Sequence, residues 1–373
     1  MSKLNELLNR FHGIASDPAG QKARYLAEGK KIVLTAPVYT PEEIIHSMGL
    51  IPFAAWGGDI EINESKQYFP AFICTIMQSI LELGMKGTYE GASAIVIPSL
   101  CDSLKCLGQN WKYAVPSIRF IPMTYPQNRK PDYAKAFTIA GYERVIKDLE
   151  EITGAKFDEA SLKASIKVYN EHNQAMRTLR DLMAVKGGVT ASERSDIYKS
   201  AGFMPKEEHT ALVKELIAEL EAAEIKDTSK RLYTTGILAD SPSLLSIFEE
   251  YGFRVVADDV AAESRQYRTD TPDEESAVGA LADKFRAMDN CSVLYDVKKT
   301  RVELIVEEAR RFNADAVLVV LTKFCDPEEF DYPLIRKACE KAEIPCILVE
   351  VDRQMTNYEQ ARTMIESLSD MVE

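Results

Sequence analysis

The run Ala316-Val317-Leu318-Val319-Val320-Leu321 contains no polar residue. A strand with one face in water alternates apolar and polar side chains, whereas a strand covered on both faces does not. A run this short reads as a buried strand of a parallel sheet with helices on both sides. Ala94-Ile95-Val96-Ile97-Pro98 is a second run of the same kind. Cys101 follows one run and Cys325 the other, and an aspartate comes directly after each. In open α/β sheets ligands collect at the carboxyl ends of strands. Two thiols at two strand ends therefore suggest two walls of one cleft.

Around these runs the pattern alternates. A helix is expected over about 2–12, then a polar linker and a strand at 32–35. Thr40-Pro41-Glu42-Glu43 has the form of a capping box opening a helix that runs to Gly49. A strand at 51–55, ended by Trp56-Gly57-Gly58, a helix at 71–85, the strand 94–98, a helix over about 102–111 and a strand at 118–122 follow. Residues 132–227 are rich in Ala, Glu, Lys and Leu and predict helices at 134–152, 159–185 and 206–223. Alternation then resumes: a strand at 231–235, a helix capped through Asp240-Ser241-Pro242, and a strand at 253–257 ended by Asp258-Asp259. Helices at 275–287 and 299–311, the strand 316–321, a helix at 331–342, a strand at 346–351 and a helix at 358–371 complete the chain. The expected fold class is α/β with parallel sheets. It has three parts: 1–131 with Cys74 and Cys101, a helical 132–227, and 228–373 with Cys325. The two α/β parts are loosely similar, each with a cysteine after one strand, which suggests duplication.

The 373 residues carry 45 Lys and Arg against 58 Asp and Glu, a net charge of −13. That argues against nucleic acid as a partner, while leaving room for a local basic pocket. The N-terminus has no signal-like apolar core, and no run reaches membrane-spanning length, so a cytoplasmic protein is expected. In a reducing compartment seven cysteines do not form a disulfide framework; some belong to the core and some are candidate ligands.

For Cys101 and Cys325, position alone divides evenly between a metal ligand and a small buried hydrophobe. Asp326-Pro327-Glu328-Glu329 suits a helix N-terminus, which lowers a thiol's pKa. Cys74, in Phe72-Ile73-Cys74-Thr75, is expected in the first turn of a helix after Pro70, where core packing explains it equally well. Cys106 is assigned to the core, and Cys291, Cys339 and Cys346 to structural roles. There is no CxxC pair, which weakens zinc-ribbon, thioredoxin and ferredoxin readings. Three widely spaced cysteines on three elements fit something larger than one zinc ion. A zinc enzyme and a two-domain binding protein with packed cysteines stay open as rivals.

The four histidines are scattered; His12, His172 and His209 are expected to be solvated, and no triad or histidine-based metal site is supported. Glu42 and Glu43 read as partners of a helix dipole. The glycines of Trp56-Gly57-Gly58 permit close approach of backbone to a ligand, although a plain turn explains them too. Arg265 and Arg268 in Glu263-Ser264-Arg265-Gln266-Tyr267-Arg268 could hold an anion, line a partner interface or join a surface ion-pair network. Neither a GxGxxG after a strand nor a Walker A motif is present.

Taken in order, several stretches resemble the smaller, beta subunit of the 2-hydroxyacyl-CoA dehydratases. They are Tyr39-Thr40-Pro41-Glu42-Glu43, Trp56-Gly57-Gly58, Tyr68-Phe69-Pro70-Ala71-Phe72-Ile73-Cys74, Cys101-Asp102-Ser103-Leu104-Lys105-Cys106, Pro126-Gln127-Asn128-Arg129, Glu263-Ser264-Arg265-Gln266 and Lys323-Phe324-Cys325-Asp326-Pro327-Glu328-Glu329. Benzoyl-CoA reductase subunits share the wider superfamily and are the nearest alternative. The resemblance implies two Rossmann-like doubly wound domains, a helical subdomain, and a [4Fe-4S] cluster in the cleft. Cys74, Cys101 and Cys325 fall on the ligand positions, with one iron free of protein thiolate. It further implies a heterodimer with an alpha subunit that carries a second cluster and most of the 2-hydroxyacyl-CoA site, and an ATP-dependent iron–sulfur activator protein. The reaction implied is loss of water through a ketyl radical to give the 2-enoyl-CoA, with this chain's cluster relaying or storing the electron. Trp56, Gly57, Gln109, Asn110, Arg265 and Gln266 are expected to surround the ligands or face the partner.

Overall fold

The computed structural model describes residues 2–372. Its first sheet contains β1 (Ile32–Thr35), β2 (Ile51–Ala54), β3 (Ala94–Pro98) and β4 (Arg119–Met123); its second contains β5 (Lys230–Gly236), β6 (Phe253–Val260), β7 (Ala316–Thr322) and β8 (Cys346–Val351). The strand orders are β2-β1-β3-β4 and β6-β5-β7-β8, and every pairing is parallel. All residues of β3 and β7 are buried, as their unbroken apolar runs require, while β4 and β8 lie at sheet edges and are partly exposed. Two four-stranded parallel sheets covered by helices fit two Rossmann-like domains.

The helices are α1 (Lys3–Ser16), α2 (Pro18–Ala27), α3 (Glu42–Ser47), α4 (Thr75–Met85), α5 (Asp102–Ala114), α6 (Asp132–Thr153), α7 (Glu159–Lys186), α8 (Ala191–Ser200), α9 (Lys206–Ala222), α10 (Pro242–Glu250), α11 (Ala277–Ala287), α12 (Arg301–Arg311), α13 (Asp326–Lys341) and α14 (Glu359–Met371). In both sheets the chain leaves the first strand to one side and returns across it to the third. The third strand therefore lies beside the first, and the strand order reverses between them. The crevice at such a reversal is where α/β sheets bind ligands. Here the reversals fall at β1/β3 and β5/β7, the places from which Cys101 and Cys325 emerge.

Several local expectations are corrected. The polar linker after the first helix contains α2, which starts with Asp17 accepting from the Gly20 amide and Pro18 in the first turn. α8 is an additional helix, opened by a capping box of Thr190 and Glu193. The box expected at Thr40 does not form: the Thr40 hydroxyl donates to the Ala36 carbonyl at 2.8 Å, and Pro41 occupies the cap. Glu42 and Glu43 pair with Lys206 at 3.1 Å and Lys284 at 2.6 Å instead of serving only the helix end. Asp258 and Asp259 do not end β6 but lie inside it, fully buried, because arginines neutralise them. Ser241 caps α10 without a side-chain bond to its amides, its hydroxyl being engaged with Tyr358. α13 starts at Asp326 rather than 331, with Pro327 in its first turn.

α11, although late in the chain, places Ala277, Leu281 and Phe285 in one core with Val33, Val96 and Ile121 of the first sheet. Ile237, Leu238 and Ala261, just beyond β5 and β6, share a second core with Leu34, Phe53 and Ile95 of the first sheet, so the two halves pack on one another.

Candidate functional site

The loops after β3 and β7 and the turn before α4 enclose a cavity of about 550 Å³ lined by Cys74, Cys101 and Cys325. Each cysteine is the N-cap residue of a helix: Cys74 of α4, Cys101 of α5 and Cys325 of α13. For Cys74 this corrects the expected place in the first turn, since 71–74 are not helical. Three helix N-termini therefore meet at one cavity, and their unpaired amides and dipoles favour a negatively charged occupant. Phe324, with φ of 62°, takes the left-handed conformation and turns the chain so that Cys325 caps α13. That conformation costs a non-glycine residue about 1–2 kcal/mol, and such strain collects at functional sites.

Burial pushes the Cys74 thiol up to about 12, with the Cys101 sulfur adding to the rise and the amides of Ile76 and Met77 opposing it. Cys101 is raised for the same first reason. Cys325 is raised well above the ordinary thiol value by burial, then by Cys74, Glu328 and Cys101. The three sulfurs thus sense one another's charge, and as free groups they stay protonated. A metal removes those protons outright, because a coordinating thiol binds as the thiolate. This donor set, all sulfur and backed by three helix N-termini, fits a polynuclear cation–sulfide group. Among the described residues, no group of three or more His, Cys, Asp or Glu is placed to hold a single metal ion. Lys105 and Lys299 also line the cavity.

The other residues singled out in the sequence lie at varied distances from this cavity. Asn110, on α5, donates to the Tyr68 carbonyl at 2.7 Å and ties the segment before Cys74 to the helix that Cys101 caps. Gln109 is exposed and accepts from Lys112. Trp56, Gly57 and Gln266 line a separate cavity of about 350 Å³ with Phe53, Tyr198 and Tyr267. At Gly57 φ is 78°, and an added Cβ would meet the Ser79 hydroxyl at 2.9 Å, so both backbone and space favour glycine. Arg265 and Arg268 are turned inward, onto Asp259, and not toward a surface network or an external anion.

Cys106 is exposed, not in the core. His172 and His209 are completely buried and share a hydrogen bond of 2.9 Å rather than facing solvent.

Behind Cys325 lies a buried ionic group of which the sequence singles out Arg265, and Glu328 only as part of a helix start, while Ser292, Arg301 and Asp331 carry no sequence signal of their own. Glu328, on the first turn of α13, accepts from the Ser292 hydroxyl at 2.6 Å and from Arg301 at 2.8 Å, with Arg265 at 3.5 Å. Arg301 also donates to Asp259 at 2.6 Å, Asp331 at 2.9 Å and Thr235 at 2.7 Å. Burial opposes its charge, but Arg265, Arg301 and Arg268 hold the Asp259 carboxyl well below the usual carboxylate range. An aspartate pair inside an otherwise apolar strand was the other available signal.

Residues 37–372 match the model of the family described as 2-hydroxyglutaryl-CoA dehydratase, D-component. The chain is 44% identical to the (R)-phenyllactyl-CoA dehydratase beta subunit of Clostridium sporogenes, over 99% of this chain and 100% of that one. It is 38% identical to the lactoyl-CoA dehydratase subunit beta of Anaerotignum propionicum, over the whole of both chains. With the (R)-2-hydroxyglutaryl-CoA dehydratase subunit beta of Acidaminococcus fermentans it shares 34% identity, over 98% and 99% of the two.

Proposed function

We propose, since this chain belongs to the 2-hydroxyglutaryl-CoA dehydratase D-component family, that its three capping cysteines make it the electron-holding beta subunit of a 2-hydroxyacyl-CoA dehydratase. The chain is a dehydratase subunit, a component of a hydro-lyase. The finer reading is that Cys74, Cys101 and Cys325 hold a [4Fe-4S] cluster with one iron free of protein thiolate. Such a cluster supplies transfer of single electrons at low potential. The observation that carries this reading is the meeting of three cysteines, each at a helix N-terminus, on one cavity. The chain's own residues do three things there. The cysteines bind as thiolates, the helix ends of α4, α5 and α13 offset their charge, and Ile76, Met77, Leu104 and Val293 limit water at the wall. The ligands come from the first and third of the three parts, 1–131 and 228–373, with 132–227 as the helical part between.

The reaction fitted by this arrangement removes water from an (R)-2-hydroxyacyl-CoA to give the (E)-2-enoyl-CoA. A saturated acyl-CoA has a weakly acidic β-proton, and one-electron reduction of the thioester carbonyl to a ketyl radical allows hydroxide to leave and acidifies that proton; loss of the proton and return of the electron then give the 2-enoyl-CoA with no net redox change. The substrate sits mainly in an alpha subunit, and an ATP-dependent iron–sulfur activator supplies the electron. Tyr295 and Phe330 line the cavity and are 46% and 74% exposed. A rim of this kind suits burial against the partner subunit. Among the described residues no helix is long and apolar enough to cross a membrane.

The test is anaerobic co-production with the alpha subunit. The expected product is brown, with about four irons on this chain for a [4Fe-4S] cluster. It dehydrates one or more members of a panel of 2-hydroxyacyl-CoA esters when activator, ATP and reductant are supplied. Colourless, iron-free protein from an anaerobic preparation would sink the reading.

A further inference from the structure

The ionic group behind Cys325 grips that side of the cavity from several directions. Glu328 is bound by Ser292, which lines the cavity, and by Arg301 and Arg265, while all three charged side chains are at most 2% exposed. Arg265 also donates to the Gly236 carbonyl at 3.1 Å, next to the cavity residue Ile237. Lys299, another lining residue, pairs with Asp331 at 2.6 Å on the same face of α13. The Glu328 amide in turn donates to the Cys325 carbonyl at 3.0 Å. A carboxylate is thus fixed one helical turn from a cavity cysteine, in a dry interior where charges act with little screening. Nothing in the dehydration chemistry described above uses it.

We infer that Glu328, held by Arg265, Arg301 and Ser292, is a positioning residue that sets the reduction potential of the cofactor bound at Cys325. The inference rests on the cluster reading of the preceding section. A cluster gains negative charge on reduction, so a fixed anion nearby lowers its potential and a donor that offsets the anion raises it. Glu328→Gln removes the charge but keeps a side chain able to accept from Ser292 and Arg301. Ser292→Ala removes an offsetting donor and leaves the charge. The two variants should therefore shift the potential in opposite directions, an outcome that simple loosening of the fold would not give.

The experiment is a dye-mediated redox titration of the anaerobic alpha–beta complex, followed by electron paramagnetic resonance, with iron measured on each sample. Wild type, E328Q, E328D and S292A should carry equal iron. The midpoint should move up in E328Q, down in S292A, and return toward wild type in E328D, which restores the charge. Full iron in E328Q and S292A with unmoved midpoints overturns the inference and leaves the cluster reading standing. Absence of iron from the wild type overturns the cluster reading and this inference with it. Should E328Q fail to fold, the S292A titration decides alone: a lowered midpoint supports the inference and an unmoved one overturns it.

Discussion

The two sheets share one strand order, yet they support their sides of the cavity with different materials. The first half presents Cys74 before α4 and Cys101 before α5, and both lie against apolar packing that includes Ile76, Met77 and Leu104. The second half presents only Cys325. Where the first half has the Cys74 turn, between its second and third strands, the second has the turn Ser264–Tyr267, with Arg265 pointing inward to Asp259 and Glu328. A common topology thus fixes where a ligand can emerge, at the end of the third strand, but not what holds it in place. One half relies on shape and volume, the other on buried charge.

The largest expected effect treats the halves alike. Replacing Cys101 or Cys325 by serine should remove the metal almost completely, from about four irons per chain for a [4Fe-4S] cluster to near zero, as measured on anaerobically prepared protein. Retention of iron in one variant alone would show that the halves contribute unequally. The next largest separates their materials. Asp259→Asn leaves three arginines short of a buried partner and should cost about 3–5 kcal/mol. Trp111→Ala opens a void in the first half, where the indole is fully buried and donates to the Ile118 carbonyl at 2.9 Å; it should also cost about 3–5 kcal/mol. Urea unfolding at several pH values tells the two apart. The native Asp259 pKa is lowered, so its contribution is present above the unfolded value of about 3.9 and is lost as pH falls toward the folded one. In acid the gap between wild type and D259N should close, while the Trp111→Ala gap stays open.

The sequence carries these two materials with unequal clarity. Apolar strands announce themselves by composition, so β3, β7 and the cysteines beyond them were legible, as was the parallel alternation. Helix starts were legible where the cap is local, yet Thr40 shows that a hydroxyl with the right spacing can be taken by Ala36 instead. The ionic half could not be read, because its partners are far apart in the chain. Asp259 and Arg301 are 42 residues apart, and Ser292 and Glu328 are 36 apart. Taken singly, such residues look like surface charges, and Arg265 and Arg268 therefore read equally as an anion site, a partner interface or a surface ion-pair network. His172 and His209 read as solvated for the same reason: their neighbours along α7 and α9 are polar, but each is the other's partner across 37 residues.

That histidine pair yields the smallest of the expected effects and adds a third material to the comparison, an uncharged polar contact in the helical layer. His209 Nε2 lies 3.0 Å from the Ile197 carbonyl, which can only accept, so Nε2 carries the proton and Nδ1 is an acceptor. His172 Nε2 must then donate to His209 Nδ1, which leaves both rings neutral. Burial holds His209 down at about 3, with Lys206 adding to the effect, and it holds His172 well below the ordinary value, helped by His209 and Lys206. The unfolded chain gains protons at these positions below about pH 6.5, whereas the folded chain does not. Stability from the pair is therefore full above that value and lost as pH falls, by about 2 kcal/mol per histidine between pH 7 and pH 5. Acid should weaken the helical layer first, and the ionic half only as pH falls below the unfolded aspartate value of about 3.9. His172→Gln keeps a donor toward His209 while removing one titrating ring. Its urea midpoint should fall less than wild type between pH 7 and pH 5, and an identical slope in both proteins would remove the histidine pair from the account of acid sensitivity.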